Sequence, residues 1–223
     1  MYKKSSSGTS FWKLYGKYIF ILLLVSAPVS SSADLSEVGK LAETIYKRQS
    51  KNPWFVCGER LTEERQKKEI SRIAYLVVQE RNRINRNLDI YGIIATMMNE
   101  SNLDRCAIGK NPRNWAISKN IIRPSRRNIS VPEADVLAAV RHKNAARAFP
   151  GGFDLGICQI LHRFYEGDPA DMLKLGSGIR ICVLEMSARA QFYKTNEPWY
   201  YWRGGYKKWY GDKIKRIIRR LRK

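Results

Sequence analysis

Apolar residues recur at helical spacing along most of the chain, and this pattern predicts a mostly α-helical fold. In the stretch from Ile93 to Met98, for example, Ile93, Ile94, Met97 and Met98 fall on one face of a 3.6-residue period. Comparable patterns predict further helices at about 34–50, 62–85, 133–149, 168–190 and 212–223. We therefore expect a helical domain with minor or no β-sheet.

Capping residues mark where several of these helices should begin. Thr62 precedes two glutamates, which the helix dipole favours in a first turn, and Asp89 precedes the next apolar pattern. Ser130 and Glu133 stand at the spacing of a capping box, which predicts a helix that runs on to about Phe149.

Glu100 is a single carboxylate at the end of the apolar helix that Asp89 caps. A carboxyl at the edge of a core has its charged form disfavoured, so its pKa rises, as a general acid near neutral pH requires. The alternative interpretation is a helix that simply ends in a solvated glutamate. The helical pattern by itself favours this second interpretation.

The first 33 residues have the composition of a secretory signal peptide. Four lysines lead into a short apolar run at 18–25, and small residues follow at Ser31 and Ala33. A membrane anchor is the alternative, but the run is shorter than the roughly 20 residues that a spanning helix needs. We expect cleavage after Ala33 and export to the periplasm, the cell envelope or the medium.

The chain is strongly basic, with a formal net charge of +21. Removal of 1–33 takes away four lysines and no acidic residue, so the charge would become +17. Outside the cytoplasm this charge indicates anionic wall polymers or lipid surfaces as partners, whereas export argues against nucleic acid. The basic amphipathic helix at 212–223 could lie on such a surface, but we favour its docking on the domain as a last helix.

Four cysteines in an exported chain favour disulfides over a metal site. They are Cys57, which lies in a predicted loop at 51–61, Cys106, Cys158 and Cys182. The sequence contains only two histidines and no Cys-x-x-Cys, so we predict no metal and no cofactor. Three pairings of the cysteines are possible, and their positions alone leave all three open.

Seven aromatic residues are crowded between Trp199 and Tyr210. Aromatic faces stack on sugar rings, and tyrosine hydroxyls can donate to a carboxyl group, but ordinary core packing would explain the same residues. The two interpretations carry similar weight.

Two motifs together resemble those of the lysozyme-like superfamily. The segment 100–103, Glu-Ser-Asn-Leu, is similar to the end of its catalytic helix. The segment 154–160, Asp-Leu-Gly-Ile-Cys-Gln-Ile, resembles the Asp-x-Gly-(Leu/Ile)-x-Gln-Ile signature of animal-type lysozymes and bacterial lytic transglycosylases. Asp168-Pro169 also resembles the start of the family's next helix, and Tyr201 ahead of Gly204 its Tyr-Asn-Ala-Gly element. The resemblance covers about 88–218.

The resemblance implies an α+β lysozyme-like domain with a substrate cleft at 88–223, against which helices from 34–87 pack. A loop-helix insertion at about 109–151 is longer than in compact lysozymes. Cys158 replaces the aromatic residue or methionine before the glutamine, and Trp202 replaces the asparagine after Tyr201, which leaves the role of Tyr201 open. The resemblance also favours pairing Cys158 with Cys182, which leaves Cys57 for Cys106.

The activity implied is cleavage of the glycosidic bond between N-acetylmuramic acid and N-acetylglucosamine in peptidoglycan, with Glu100 as the acid. In a lytic transglycosylase, which we favour, Glu100 alone acts as acid and then base and gives 1,6-anhydro ends. In a hydrolytic muramidase, Asp154 would be the second carboxylate. The supporting residues would be Ser101 near the acid, Gly156 for close approach of the sugar, and Gln159 with Tyr201 along the cleft.

Two other classes of function remain. A cationic wall-binding or antimicrobial protein could keep this fold without catalysis, and a nucleic-acid-binding protein is suggested by charge alone. The sequence does not tell whether a peptidoglycan-cleaving enzyme would remodel a wall, open it for a secretion or envelope machine, or attack a competitor.

Overall fold

The structure is a computed structural model that describes residues 34–50, 53–123, 130–150, 152–162, 165 and 167–223. The predicted signal peptide at 1–33 lies outside the described residues. The described residues belong to one compact unit.

Helices make up most of the described chain, which confirms the predicted fold class. The α-helices are α1 (Leu35–Gln49), α2 (Glu63–Ile84), α3 (Ile90–Ser101), α4 (Lys110–Ser118), α5 (Glu133–Arg141), α6 (Ala145–Ala148), α7 (Pro169–Leu173), α8 (Leu175–Phe192) and α9 (Lys208–Leu221), with a 3-10 helix at Pro198–Tyr201. Two antiparallel hairpins complete the fold: β1 (Phe55–Val56) with β2 (Glu59–Arg60), and β3 (Asp154–Leu155) with β4 (Ile160–Leu161). The first hairpin lies where we predicted only a loop.

The predicted caps at Thr62 and Asp89 are confirmed. The Thr62 side chain accepts from the Arg65 amide at the start of α2, and the Asp89 carboxylate accepts from the Tyr91 amide at the start of α3. Each side chain satisfies an amide that has no partner within its helix.

The predicted capping box at Ser130 is wrong. The residue at the N-cap position of α5 is Pro132, and no side chain caps the helix. The Ser130 hydroxyl instead donates to Asp104 Oδ2 at 2.6 Å and accepts from the Gly58 amide at 2.8 Å. Asp104 is buried, so its carboxylate needs donors, and this long-range bond replaces the local one.

The predicted insertion is more regular than its composition indicated. It contains α4, where no helix was predicted, and the single helix expected at 133–149 is divided into α5 and α6. The division falls at His142, whose backbone is extended and whose ring packs edge-on against Trp115. Together with Phe153, Leu155 and α7, the insertion encloses a small hydrophobic cluster of its own.

The main core is formed by α1, α2, α3, α8 and α9, together with the first hairpin and the 3-10 helix. The last helix begins at Lys208, four residues before the predicted start. It buries Ile214, Ile218 and Leu221, so the docking interpretation of the C-terminal helix is confirmed.

The four cysteines form two disulfides, Cys57–Cys106 and Cys158–Cys182, which are the pairs that the resemblance implied. Such bonds persist in oxidising compartments and fit an exported protein. Among the described helices, none has the length and apolar character needed to span a membrane.

Candidate active site

Glu100 lies in the last turn of α3, and the end of this helix is firmly held. The chain turns out of the helix at Asn102 and Leu103, which have left-handed φ angles of 55° and 64°. The Asn102 carbonyl accepts hydrogen bonds from Trp54 Nε1 at 3.0 Å and from Gln49 Nε2 at 3.3 Å. Because Trp54 is itself 1 % exposed, these contacts tie the end of α3 to the main core.

Both oxygens of the Glu100 carboxyl group have hydrogen-bond donors. Oε1 accepts from the Tyr210 hydroxyl at 2.5 Å and from Asn99 Nδ2 at 3.3 Å. Oε2 accepts from Arg203 Nη2 at 2.5 Å. The Glu100 side chain is 0 % exposed, whereas that of Arg203 is 44 % exposed. The carboxyl group is therefore covered by side chains from the C-terminal part of the chain.

Burial raises the pKa of Glu100 above its ordinary value. The positive charge of Arg203 and the hydrogen bonds from Tyr210 and Asn99 oppose this shift, while the negative charge of Asp154 adds to it. The loss of hydration outweighs the stabilising donors, so the proton is held to a higher pH than in the unfolded chain. Burial and the neighbouring Glu100 likewise raise the pKa of Tyr210, which stays a donor.

Asp154 is close enough to Glu100 for their charges to interact, but its surroundings differ. It begins β3, is half-buried, and its carboxylate makes no hydrogen bond with any described residue. Burial raises the pKa of Asp154, and the charge of Arg203 offsets only part of this rise. Two carboxyl groups and one guanidinium thus share this region.

Ser101 and Gln159, predicted to support the acid and the cleft, hold the backbone in place. The Ser101 hydroxyl is buried and contacts the Ile157 carbonyl at 2.7 Å and the Met97 carbonyl at 3.0 Å. Gln159 Nε2 donates to the carbonyls of Ala107 at 2.9 Å and Gly156 at 3.1 Å. These bonds fix residues 154–160, which we call the motif turn, against α3 and the segment before α4.

Gly156 is required by the local packing, whereas the approach of a sugar to it stays a prediction. Its φ is +75°, and a Cβ atom there would lie 2.5 Å from the backbone oxygen of Met172. The group that comes close to Gly156 is therefore the carbonyl of α7. The Cys158–Cys182 disulfide holds the same turn to α8.

Tyr201 does not contact Glu100. Its ring stacks on Tyr193 with 3.7 Å between centroids and meets Tyr206 edge-on, while its carbonyl accepts from Arg189 Nε. The hydroxyl that reaches Glu100 belongs to Tyr210, nine residues further along. Whether Tyr201 contacts a substrate stays a prediction.

Tyr210 and Arg203 were not predicted as partners of Glu100. In the sequence Tyr210 is one member of the aromatic cluster, and Arg203 belongs to no motif. The crowding of aromatic residues on both sides of Gly204 and Gly205 was the available signal, because such residues can supply a hydroxyl to a carboxyl group. Nothing in the spacing of Arg203 distinguishes it from the many other basic residues.

Within the described residues, one group has the spacing of metal ligands, formed by Cys57, Asp104 and Cys106. Its two sulfur atoms are bonded to each other, and the Asp104 carboxylate already accepts from two backbone amides and Ser130. Neither cysteine is therefore available as a thiolate to bind an ion.

Comparison with known proteins adds no relative. No protein-family model matches the chain. No curated protein and no solved structure matches it either. The site itself consists of a buried carboxyl group of raised pKa, held by a tyrosine and an arginine, beside a second acid.

Proposed function

We propose that the protein is a lytic transglycosylase that cleaves the glycan strands of peptidoglycan. The observation that carries this proposal is the environment of Glu100, whose pKa burial raises in spite of three hydrogen-bond donors. A shielded carboxyl that keeps its proton to a higher pH than an ordinary glutamate suits a general acid. The resemblance of segments 100–103 and 154–160 to lysozyme-like enzymes supplies the class of substrate.

The reaction uses Glu100 twice. The protonated carboxyl gives its proton to the glycosidic oxygen as the bond to the anomeric carbon breaks, and an oxocarbenium-like centre forms on the muramic acid. The Glu100 carboxylate then removes the proton of the muramic acid 6-hydroxyl, whose oxygen bonds to that carbon. Tyr210 would hold the carboxyl in position throughout. No water is consumed, and the products are a 1,6-anhydro end and a free hydroxyl.

A hydrolytic muramidase is the second candidate, and the position of Asp154 favours it. The Asp154 carboxylate interacts with the charge of Glu100 and has no hydrogen-bond partner among the described residues. It could shield the cation or bond to the anomeric carbon before water completes the reaction.

Mass spectrometry of digested peptidoglycan tests both candidates. We expect fragments with 1,6-anhydro ends; fragments heavier by one water would show a hydrolase, and the absence of fragments would contradict both. Glu100→Gln should lower the rate by roughly 10²- to 10⁴-fold, which is the usual contribution of a general acid. Glu80→Gln is the matched control, because it makes the same change in a buried carboxyl on α2 and should keep the rate.

A cationic protein that acts on the envelope without catalysis is a third candidate, favoured by the outer face of α9. Trp209 is 65 % exposed, and Lys213, Arg216 and Arg220 are exposed along the same helix. Such a face could hold an anionic wall polymer or lipid surface. If Glu100→Gln kills bacteria as well as the parent protein does, this candidate is supported over the enzyme.

We further propose export to the periplasm or envelope, on the basis of the signal-peptide pattern at 1–33 and the two disulfides. The glycan strand is then the partner at the site, with the basic face of α9 toward the anionic envelope. Direct participation in a secretion or envelope machine would be a further use of the same activity.

A further inference from the structure

Arg203 covers the carboxyl group that the proposed reaction must expose. Of the three donors to Glu100, Tyr210 is 1 % exposed and Asn99 is half-buried, whereas the Arg203 side chain is 44 % exposed. Arg203 therefore separates Oε2 from solvent, and a glycosidic oxygen can reach Oε2 only after the guanidinium has moved.

The backbone beside Arg203 leaves room for such a movement. Gly204 and Gly205 follow it with φ angles of 73° and 77°, and a Cβ atom built on either would meet nothing within 4 Å. The loop here is therefore not packed under another element, in contrast to the motif turn, where a Cβ atom built on Gly156 would lie 2.5 Å from a carbonyl oxygen.

Protonation of Glu100 removes the charge that Arg203 pairs with. The guanidinium remains positive at any relevant pH and still has several donors. Asp154 is half-buried nearby, and the charge of Arg203 offsets part of the rise that burial gives to its pKa, but Asp154 makes no hydrogen bond with the arginine in this structure. A planar guanidinium in this situation is suited to bind an incoming carboxylate through paired hydrogen bonds.

We propose that Arg203 is a specificity-determining residue that binds a carboxylate of the substrate next to the bond to be cleaved. This inference rests on the proposed function for its substrate. In peptidoglycan the carboxylate has two sources, the lactyl group of a peptide-free muramic acid and the acidic groups of the stem peptide. When Arg203 pairs with a substrate carboxylate in place of Glu100, its guanidinium moves away from the acid. Oε2 of Glu100 then becomes accessible to the glycosidic oxygen.

Binding to glycan strands in the Glu100→Gln background tests the inference without requiring cleavage. Glutamine has the neutral charge of the protonated acid, so Arg203 is free to take a ligand. The probes are strands with intact stem peptides, strands stripped of peptides by an amidase, and both kinds after carbodiimide conversion of their carboxyls to neutral amides. We expect the Kd to be about tenfold lower for carboxylate-bearing strands than for their neutralised counterparts, and the kind of strand that shows this ratio identifies the source.

The double variant Glu100→Gln with Arg203→Gln should bind charged and neutralised strands with a Kd ratio close to one. Arg203→Lys in the same background should keep part of the preference, because it retains the charge and loses the paired donors. Arg83→Gln is the charge-matched control, since Arg83 is an exposed arginine on α2, and it should keep the tenfold ratio. Circular dichroism of each variant confirms that it is folded.

The inference is overturned if Glu100→Gln does not discriminate between the strands, or if the Arg203→Gln double variant keeps the preference. Cleavage by the parent protein is scored separately. Anhydro products without an Arg203-dependent preference would support the transglycosylase activity and contradict the specificity role of Arg203. An Arg203-dependent preference without any cleavage would contradict the proposed enzymatic activity and support the carboxylate-binding site.

Discussion

The motif turn at 154–160 and the aromatic segment at 198–210 both border Glu100, but they use their polar groups in opposite ways. The motif turn carries the residues that resemble a catalytic signature, yet Gln159 donates to backbone carbonyls and the Ile157 carbonyl accepts from Ser101. The aromatic segment carries no matched signature apart from Tyr201, and it supplies Tyr210 and Arg203 to the carboxyl group.

The residues of a sequence motif can therefore hold the backbone around a site in place, while other residues contact the reacting group. Three separate contacts restrict the conformation of the motif turn. They are the hydrogen bond from the Ser101 hydroxyl to the Ile157 carbonyl, the close packing of Gly156 against Met172, and the Cys158–Cys182 disulfide. The groups that tune Glu100 need only reach it, so they can come from elsewhere in the chain. Substitutions in the turn should therefore change stability first, and substitutions in the aromatic segment should change the pKa of Glu100.

The largest expected effect is that of Gly156→Ala, which should lower the free energy of unfolding by about 4 kcal/mol or prevent folding. The new Cβ would meet the Met172 carbonyl at 2.5 Å and would also require a left-handed alanine. Urea unfolding measures the change. Gly176→Ala is the control, since a Cβ in this first turn of α8 meets nothing within 4 Å; equal losses in both variants would contradict the packing argument.

Removal of the Cys158–Cys182 disulfide by a double change to alanine should cost about 3 kcal/mol, because the bond closes a loop across 24 residues and restricts the unfolded chain. Thermal unfolding and the rate of limited proteolysis at 154–160 would report the loss. If the motif turn is held mainly by its hydrogen bonds, proteolysis there will stay slow even though global stability falls.

Ser101→Ala should lower the free energy of unfolding by about 1.5 kcal/mol, since it leaves the Ile157 carbonyl without its donor in a buried position. Ser71→Ala on α2 is the matched control. The Ser71 hydroxyl also donates to the carbonyl four residues earlier, but it is exposed and makes no bond to another element. A cost at Ser71 as large as that at Ser101 would show that the contact to the turn contributes little.

Tyr210→Phe should have the smallest effect on stability, about 1 kcal/mol, but should raise the pKa of Glu100 further. The Tyr210 hydroxyl stabilises the ionised carboxyl, so its removal keeps the proton on Glu100 to a higher pH. Carbon-13 NMR titration of the Glu100 carboxyl measures this, and the alkaline limb of any cleavage rate should move in the same direction. Tyr200→Phe, which removes a donor to Asp212 instead, should leave the Glu100 titration unchanged.

The raised pKa of Glu100 has a consequence for stability with a definite sign. Between the pKa of the unfolded chain and the higher pKa of the folded protein, the folded state binds more protons, so stability falls as pH rises through this interval. Glu100→Gln removes this dependence. The variant should therefore gain stability relative to the parent protein at pH 7 compared with pH 4, which paired urea titrations at the two pH values would show.

The features that depend on near neighbours along the chain could be predicted from the sequence. The caps at Thr62 and Asp89, the apolar faces of α2 and α3, and the amphipathic last helix follow from groups within four residues of one another. The placement of Glu100 at the end of an apolar helix follows in the same way.

The surroundings of the acid could not be predicted, because they depend on the completed fold. Arg203 and Tyr210 lie 103 and 110 residues from Glu100 along the chain, so no local spacing relates them. The Ser130 hydroxyl donates to Asp104 Oδ2 instead of capping α5, because a buried carboxylate oxygen left without its donor costs more free energy than an uncapped helix end at the surface. Local patterns describe groups that are held together by the backbone, whereas the partners of a buried charge are selected by whichever donors the completed fold brings within reach.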